Sequence, residues 1–230
     1  MREPVSIVIP TFNEVDSIAH VLAEFPLAYR CDLIVADGGS TDGTQDAARA
    51  AGARVIDAGR GYGRACHLGA EAAIPSSTVI VFLDGDGADR GDLISRIAEP
   101  VLAGEKDFVL GTRTQGEREK GAMNWHQVVA GRMAGLGIGS LYGVRYTDMC
   151  AFRAIRRTAL QDLAMSEMTY GWNIEMQMKA ARAGLRIAEV ALPYRCRIGG
   201  QSKVAGSMRG TLKAGSRIIS TFVRVAAARA

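Results

Sequence analysis

Two aspartates one residue apart, Asp84 and Asp86, with a third at Asp89, stand among Gly85 and Gly87 directly after an apolar, β-branched run over residues 78–83. Carboxylates this close repel one another, which raises their pKa unless a cation lies between them. Their hard oxygens suit Mg2+ or Mn2+, ions that bridge protein carboxylates to phosphate oxygens. The glycines would let a diphosphate approach closely. A plain turn rich in Asp and Gly would have the same composition and no chemistry. The neighbouring segments decide between the two.

Holding such carboxylates takes a rigid edge. Residues 78–83 read as a strand buried on both faces. Residues 5–9 form an earlier apolar strand that Pro10 stops; Asn13 is then a natural N-cap for a helix placing Ile18, Val21, Leu22 and Phe25 on one face. A second strand, 32–36, ends at Asp37 and the Gly- and Asp-rich run to Gly43. A weak third, 54–57, leads into Gly59, Gly61, Gly63 and Arg64 and an alanine-rich helix. A helix with Leu93, Ile97 and Val101 on one side precedes a fifth strand, 107–110, which enters Gly111, Thr112 and Arg113. Strands alternating with helices predict a doubly wound, mixed but mostly parallel sheet with helices on both faces. Ligands of such sheets sit at the carboxyl ends of the strands. Residues 10–14, 37–43, 59–64, 84–89 and Arg113 all fall at those ends, so separate loops should converge on one crevice.

Beyond Arg113 the alternation loosens. Residues 115–121 read as a charged, mobile loop, and 124–143 as a helix with Gly131, Gly135 and Gly139 on one face. Arg132 is the only charge between Val128 and Val144, which fits either two closely packed helices or an element dipping into a bilayer. Residues 147–153 form a compact polar knot. Residues 169–173 open a helix carrying Glu175, a carboxylate that could simply pair with Lys179 one turn on. Residues 185–192 look like another strand, and 199–203 like a flexible loop. The last segment, 207–228, sets Arg209, Lys213, Arg217 and Arg224 on one face and Leu212, Ile219, Phe222, Val223 and Ala226 on another. That pattern suits a packed helix with a solvated cationic face, or a basic amphipathic helix on anionic lipid.

Composition narrows the classes. With 230 residues, 48% of them hydrophobic and 23% charged, the chain can build one large soluble core. Cys31, Cys66, Cys150 and Cys196 are scattered, which argues against a disulfide framework or a zinc site and for a reducing compartment. The expectation is a protein with no leader before the strand at Val5 and, with no run of 18 apolar residues, a cytoplasmic one with at most peripheral contact with the inner membrane face. Residues 1–112 carry 9 Lys and Arg against 17 Asp and Glu, whereas 113–230 carry 19 against 7. The second half should therefore meet an anion, either nucleic acid, a phosphorylated acceptor or an acidic membrane. Only 6% aromatic residues and no recognisable reading helix disfavour nucleic acid.

Three ordered motifs, residues 5–14 through Pro10, Thr11, Asn13 and Glu14, then 37–44, then Asp84-Gly85-Asp86-Gly87, resemble the family 2 glycosyltransferases of the GT-A fold. Gly111–Arg113, Thr147-Asp148, Phe152-Arg153, 170–175 and Gly200–Lys203 resemble its polyprenyl-phosphate sugar synthase branch, so the likeness spans residues 5–209. It implies a GT-A domain over 1–204, with a nucleotide-sugar half (1–112) and an acceptor half (113–204), followed by a basic amphipathic helix, 205–230. Pro10, Thr11, Asn13, Glu14, Asp37, Gly63, Arg64, Asp84 and Gly85 would hold a UDP- or GDP-sugar. Asp86, helped by Asp84, would bind the divalent cation that steadies the departing diphosphate. Arg113, Arg145, Asp148, Arg153, Ser202 and Lys203 would receive a polyprenyl phosphate, with Arg113 also serving catalysis.

An ionised phosphate attacks without a general base; a sugar or glycan hydroxyl would need Glu175 or Asp148 to take its proton. One in-line displacement implies inversion. Two departures stand out: Ala88 holds the place of a metal-side Gln, leaving Asp89 or water to substitute, and Cys150-Ala151-Phe152-Arg153 replaces Ser-Gly-Phe-Arg. A nucleotidyltransferase is the remote alternative, disfavoured because Thr11-Phe12-Asn13-Glu14 stands where a Gly-rich basic loop would be. A homodimer stays open.

Overall fold

The computed structural model describes residues 4–30, 32–199 and 208–228; Ser202 and Lys203, two of the expected acceptor residues, lie outside the described residues. Seven strands form one sheet: β1 (Val5–Thr11), β2 (Asp32–Asp37), β3 (Arg54–Asp57), β4 (Val79–Phe82), β5 (Phe108–Thr112), β6 (Arg153–Arg156) and β7 (Ile187–Ala191). Their order is β3-β2-β1-β4-β6-β5-β7, with β6 antiparallel to both neighbours and every other pair parallel. The mixed, mostly parallel sheet matches expectation. The strand β6 does not, since its four residues include two arginines and lack the apolar run of a central strand.

The helices are α1 (Val15–Glu24), α2 (Thr44–Ala50), α3 (Tyr62–Glu71), α4 (Ser95–Leu102), α5 (Trp125–Tyr142), α6 (Arg157–Asp162), α7 (Trp172–Arg182) and α8 (Met208–Ala227). Alternating side chains of each strand feed two cores. Ile7, Ile9, Val79 and Val81 join Ile18, Leu22 and Ile97 on one side, while Val8, Ile80 and Phe82 join Trp172, Met176 and Met178 on the other.

Three local expectations are corrected. Pro10 does not stop β1: the strand pairs with β4 only as far as Val8, so Pro10 lies beyond that edge and its missing N–H costs no β4 bond. Asn13 does not cap α1. Its backbone is left-handed (φ 53°), and its side chain accepts instead from the Thr41 amide at 3.0 Å. Gly131, Gly135 and Gly139 of α5 do not meet a second helix. They press on the extended segment 144–148, so closely that a Cβ on Gly135 would lie 1.8 Å from the Tyr146 carbonyl oxygen.

Candidate active site

The first two strand ends are stitched into one rim. The Asp37 carboxylate accepts from the Gly39 and Ser40 amides (2.9 and 2.7 Å), the Gln45 side chain (2.8 Å) and Thr11 Oγ1 (3.1 Å). Burial alone would raise its pKa, but these donors, Ser40 foremost, hold it below the usual carboxylate range. Across the same seam the Asn13 amide donates to Ser40 Oγ, the Glu14 amide to Thr44 Oγ1 and the Val15 amide to Asp42. Asp37 thus builds the loop; its oxygens are spent on the loop's own donors.

β4 ends at Phe82, and the chain turns out of the sheet with the acids on the turn. Asp84 accepts from the Tyr62 hydroxyl at 3.1 Å, and Asp86 from the Ala88 amide at 2.9 Å. Burial pushes the Asp84 carboxyl up to about 6, and the Asp86 charge adds to the rise. Burial likewise raises Asp89, in reach of the Cys150 thiol, to about 8, with Asp84 next among the causes. The glycines here serve the protein's own packing. A Cβ on Gly85 would meet Thr11 Cγ2 at 2.8 Å, and one on Gly87 would meet Ile198 Cδ1 at 2.5 Å.

Over that turn lies a strap, residues 194–199. Arg195 donates to the Gly87 carbonyl at 2.5 Å and pairs with Glu24 at 2.6 Å, while the Ile198 amide donates to the Asp86 carbonyl at 3.0 Å. Arg197 Nη2 pairs with Asp86 Oδ2 at 2.6 Å, and its Nη1 is buried with no hydrogen-bond partner among the described residues. A buried guanidinium N–H left unmatched beside a carboxylate is a donor that an anion or a water can satisfy. Among the described residues no group of three or more His, Cys, Asp or Glu is arranged to hold a metal. Two carboxylates are nonetheless what a Mg2+-type ion needs when substrate phosphates complete its shell. The donor set therefore fits a cation that arrives with a diphosphate, which Asp84 and Asp86 would hold.

The opposite wall is built around Arg113, just past β5. Its guanidinium forks onto Asp148 with two bonds of 2.7 Å, its own amide adds a third at 3.0 Å, and its charge lowers both Asp84 and Asp89. Burial would raise Asp148, but Arg113 outweighs it and keeps the carboxyl ionised. Gln177 of α7 fixes the Asp148 carbonyl at 2.8 Å, and Glu189 of β7 fixes the Thr147 amide at 2.9 Å.

The model of the glycosyl transferase family 2 matches residues 6–164. The chain is a family 2 glycosyltransferase. It is 36% identical over 214 residues to an uncharacterized glycosyltransferase of Mycobacterium tuberculosis, covering 91% of this chain and 94% of the relative. It is 31% identical to an undecaprenyl-phosphate mannosyltransferase of Micrococcus luteus, over 88% of each chain. Glucosyl-3-phosphoglycerate synthase from Mycobacterium tuberculosis, solved with Mn2+, UDP-glucose and glycerol 3-phosphate, superposes with a TM-score of 0.75 over 99% of this chain and 82% of that one, at 23% identity. The fold is GT-A.

Several expected site residues of the transferase sit elsewhere. The Gly63 and Arg64 amides donate to the Thr169 and Met168 carbonyls, and a Cβ on Gly63 would lie 2.2 Å from the Glu167 oxygen. These two therefore dock α3 onto the segment before α7, and their own amides are not free for a diphosphate. Arg153 is fully buried, giving its protons to the Cys150 and Asn173 carbonyls, so it cannot grip an acceptor phosphate directly. Its charge acts from behind, lowering Asp84. Arg145 is exposed, with its stem against Gly139 and no place in the acidic turn.

Glu175 is sealed in the core. It accepts from the Ser166 and Glu167 amides and Ser166 Oγ, with Lys179 at 3.1 Å. The pairing one helical turn on exists, but on a buried face and not a solvated one. The charged loop 115–121 is likewise tied down, its Glu119 accepting from the Cys196 amide at 2.7 Å and its Glu119 amide donating to Tyr194.

Sequence reasoning missed Tyr62, Gln177, Glu189, Arg195 and Arg197. The first three act through partners far along the chain, which no local spacing reveals. Arg195 and Arg197 had a signal, the absence of any acid after Glu189, that was read only as net charge.

Proposed function

We propose that the transferase moves a hexose from a UDP- or GDP-sugar to a polyprenyl phosphate, with inversion, at the cytoplasmic face of a membrane that it contacts peripherally. The observation carrying the acceptor class is the state of the two carboxylates that the sequence offers as bases for a hydroxyl acceptor. Asp148 is locked in a fork with Arg113, and Glu175 is saturated by the 166–167 loop and Lys179. Both are held below the usual carboxylate range, so neither is poised to accept a proton. A phosphate nucleophile, already ionised, needs no such group. The similarity to an undecaprenyl-phosphate mannosyltransferase supports the same class.

The chain's own residues would divide the work by charge. Asp84 and Asp86 hold a divalent cation, which when bound supplies Lewis-acid stabilisation of the leaving diphosphate. Arg197, with one N–H unmatched, turns that N–H to the diphosphate. Arg113, aimed by Asp148, takes the acceptor phosphate and offsets repulsion between two anions that must meet. The Asp37–Ser40 rim and residues 10–14 frame the nucleoside. Incubating the chain with labelled UDP- and GDP-sugars, Mn2+ and polyprenyl phosphate tests the reading. A labelled lipid with one donor supports it; none with any donor, while a soluble hydroxyl acceptor is labelled, would replace it.

A further inference from the structure

Two helices leave large apolar side chains in solvent. On α5, Trp125, Val129, Met133 and Leu136 recur at helical spacing with exposures of 77, 44, 67 and 63%. On α8, Leu212, Ile219 and Val223 do the same at 68, 66 and 59%. The rows are parts of one surface. The Phe222 ring of α8 lies against α5 at Gly137, where an added Cβ would come within 2.8 Å of it, and Leu136 and Val223 are the adjoining residues. Each helix buries its opposite side, Gly131, Gly135 and Ile138 on α5 and Ala214, Thr221 and Val225 on α8. Contiguous apolar surface of this kind on a folded domain marks a contact site.

Charge selects what it contacts. Neither helix contains an Asp or Glu. Arg132 and Lys213 are exposed on the two helices, and Arg145 just past the end of α5. The cationic face expected for the last helix is partly spent on buried carboxylates: Arg217 pairs with Glu167, and Arg224 with Glu167 and Glu175. A second copy docked here would set Arg132 and Lys213 against their own counterparts with no carboxylate on either helix to meet them. An anionic bilayer offers hydrocarbon to the apolar rows and lipid phosphates to the cations.

We propose that the α5–α8 face is the surface by which the transferase sits on an anionic membrane. The proposal deepens the peripheral-contact reading above and rests on it. It also gives α5 a second duty, because Gly131 on its inner side lies against Asp148. One helix diameter, roughly 10 Å, then separates the membrane-facing row from the Arg113–Asp148 fork.

Vesicles of phosphatidylglycerol and phosphatidylcholine that contain no isoprenoid separate docking from catalysis. The full chain should sediment with them at low salt, and much less with phosphatidylcholine alone. A variant carrying Leu136→Gln, Ile219→Gln and Val223→Ser should lose roughly tenfold or more in partitioning. Arg132→Gln with Lys213→Gln should lose about tenfold and flatten the salt dependence. All five side chains face solvent, so thermal melts should match the parent, and transfer to a water-soluble short-chain prenyl phosphate should persist. Parent protein that stays in the supernatant, or a triple variant that binds like the parent, overturns the proposal. So does a dimer in sedimentation velocity that the triple variant dissolves while vesicles go unbound; the face then covers a second copy. Vesicle binding as expected, with no transfer to any prenyl phosphate, supports the docking face and removes the acceptor assignment alone.

Discussion

The two walls of the crevice are built by different means. On the side proposed for the donor, strand-end loops are closed by neighbours in sequence or by adjacent parallel strands: Asp37 by Ser40 and Gln45, and the 13–15 amides by Ser40, Thr44 and Asp42. On the side proposed for the acceptor, each functional side chain is held from afar. Arg113 is aimed by Asp148, Asp148 is fixed by Gln177, and Arg197 reaches over to Asp86 of the first side across 111 residues of chain. A wall of local turns is rigid whatever happens elsewhere. A wall of long-range bridges transmits any disturbance to the site. The comparison predicts chemical lesions on the first side and structural ones on the second.

The largest effect should come from Asp86→Ala. Removing a carboxylate at the point where charge develops should lower turnover by about 10^3-fold or more, with a smaller change in melting temperature than for Asp148→Asn, since the lost pairing with the partly exposed Arg197 is offset by relief of the like charge on Asp84. Initial transfer rates and a thermal melt on the same preparation check it. Turnover within tenfold of the parent would end the case for this acidic turn as the engine of the reaction.

Asp148→Asn should reverse that signature. It leaves Arg113 without its partner, and breaking one half of a buried pair costs on the order of 3–5 kcal/mol. Stability measured by urea unfolding should fall first, and activity should fall with it as Arg113 loses its aim. An unchanged midpoint with a large loss of turnover would move Asp148 from positioning into the chemistry.

The contrast between the walls also explains what could be read from sequence. The strands of the first half, the acidic turn and Arg113 were legible because apolar runs and turn residues announce parallel strand ends. The strand β6 was not, because Arg153 is buried by tertiary contacts that its polarity disguises. Nor was the true task of α5's glycines: spacing shows that something approaches closely, but not that it is the 144–148 segment carrying Asp148. Glu175 presents the same difficulty. A carboxylate at the start of a helix reads equally as base, surface pair or buried staple, and only the amides of Ser166 and Glu167 choose among them.

Glu175→Gln should therefore cost stability more than rate, about 1–3 kcal/mol for a buried acceptor left mismatched, with turnover within tenfold. The pH dependence gives a second reading. Burial opposes ionisation, but the loop donors and Lys179 hold Glu175 below its ordinary value of 4.5. A carboxylate with a depressed folded pKa stabilises fully above its unfolded value and loses that contribution as pH falls through the folded one. The substitution should thus flatten the acid limb of the stability curve below pH 4.5. Near-total loss of turnover with an unaltered acid limb would restore Glu175 as a base and favour a hydroxyl acceptor.

The smallest effect sharpens the comparison most, because Arg197 belongs to the acceptor-side strap yet binds a donor-side carboxylate. Its guanidinium occupies Asp86 Oδ2, an oxygen that a divalent ion would also claim. Without nucleotide the two cations compete, and Arg197→Gln should strengthen Mn2+ binding by a few-fold, about the worth of one partly exposed charge pair. With a nucleoside diphosphate present the sign should invert, since the diphosphate then loses the N–H that has no other partner among the described residues. Mn2+ titrations with and without UDP or GDP, followed by the spin signal of free Mn2+, read both arms. Weaker Mn2+ binding in each arm would make Arg197 a plain support of the turn, and the strap would then have no part in exchanging one cation for another.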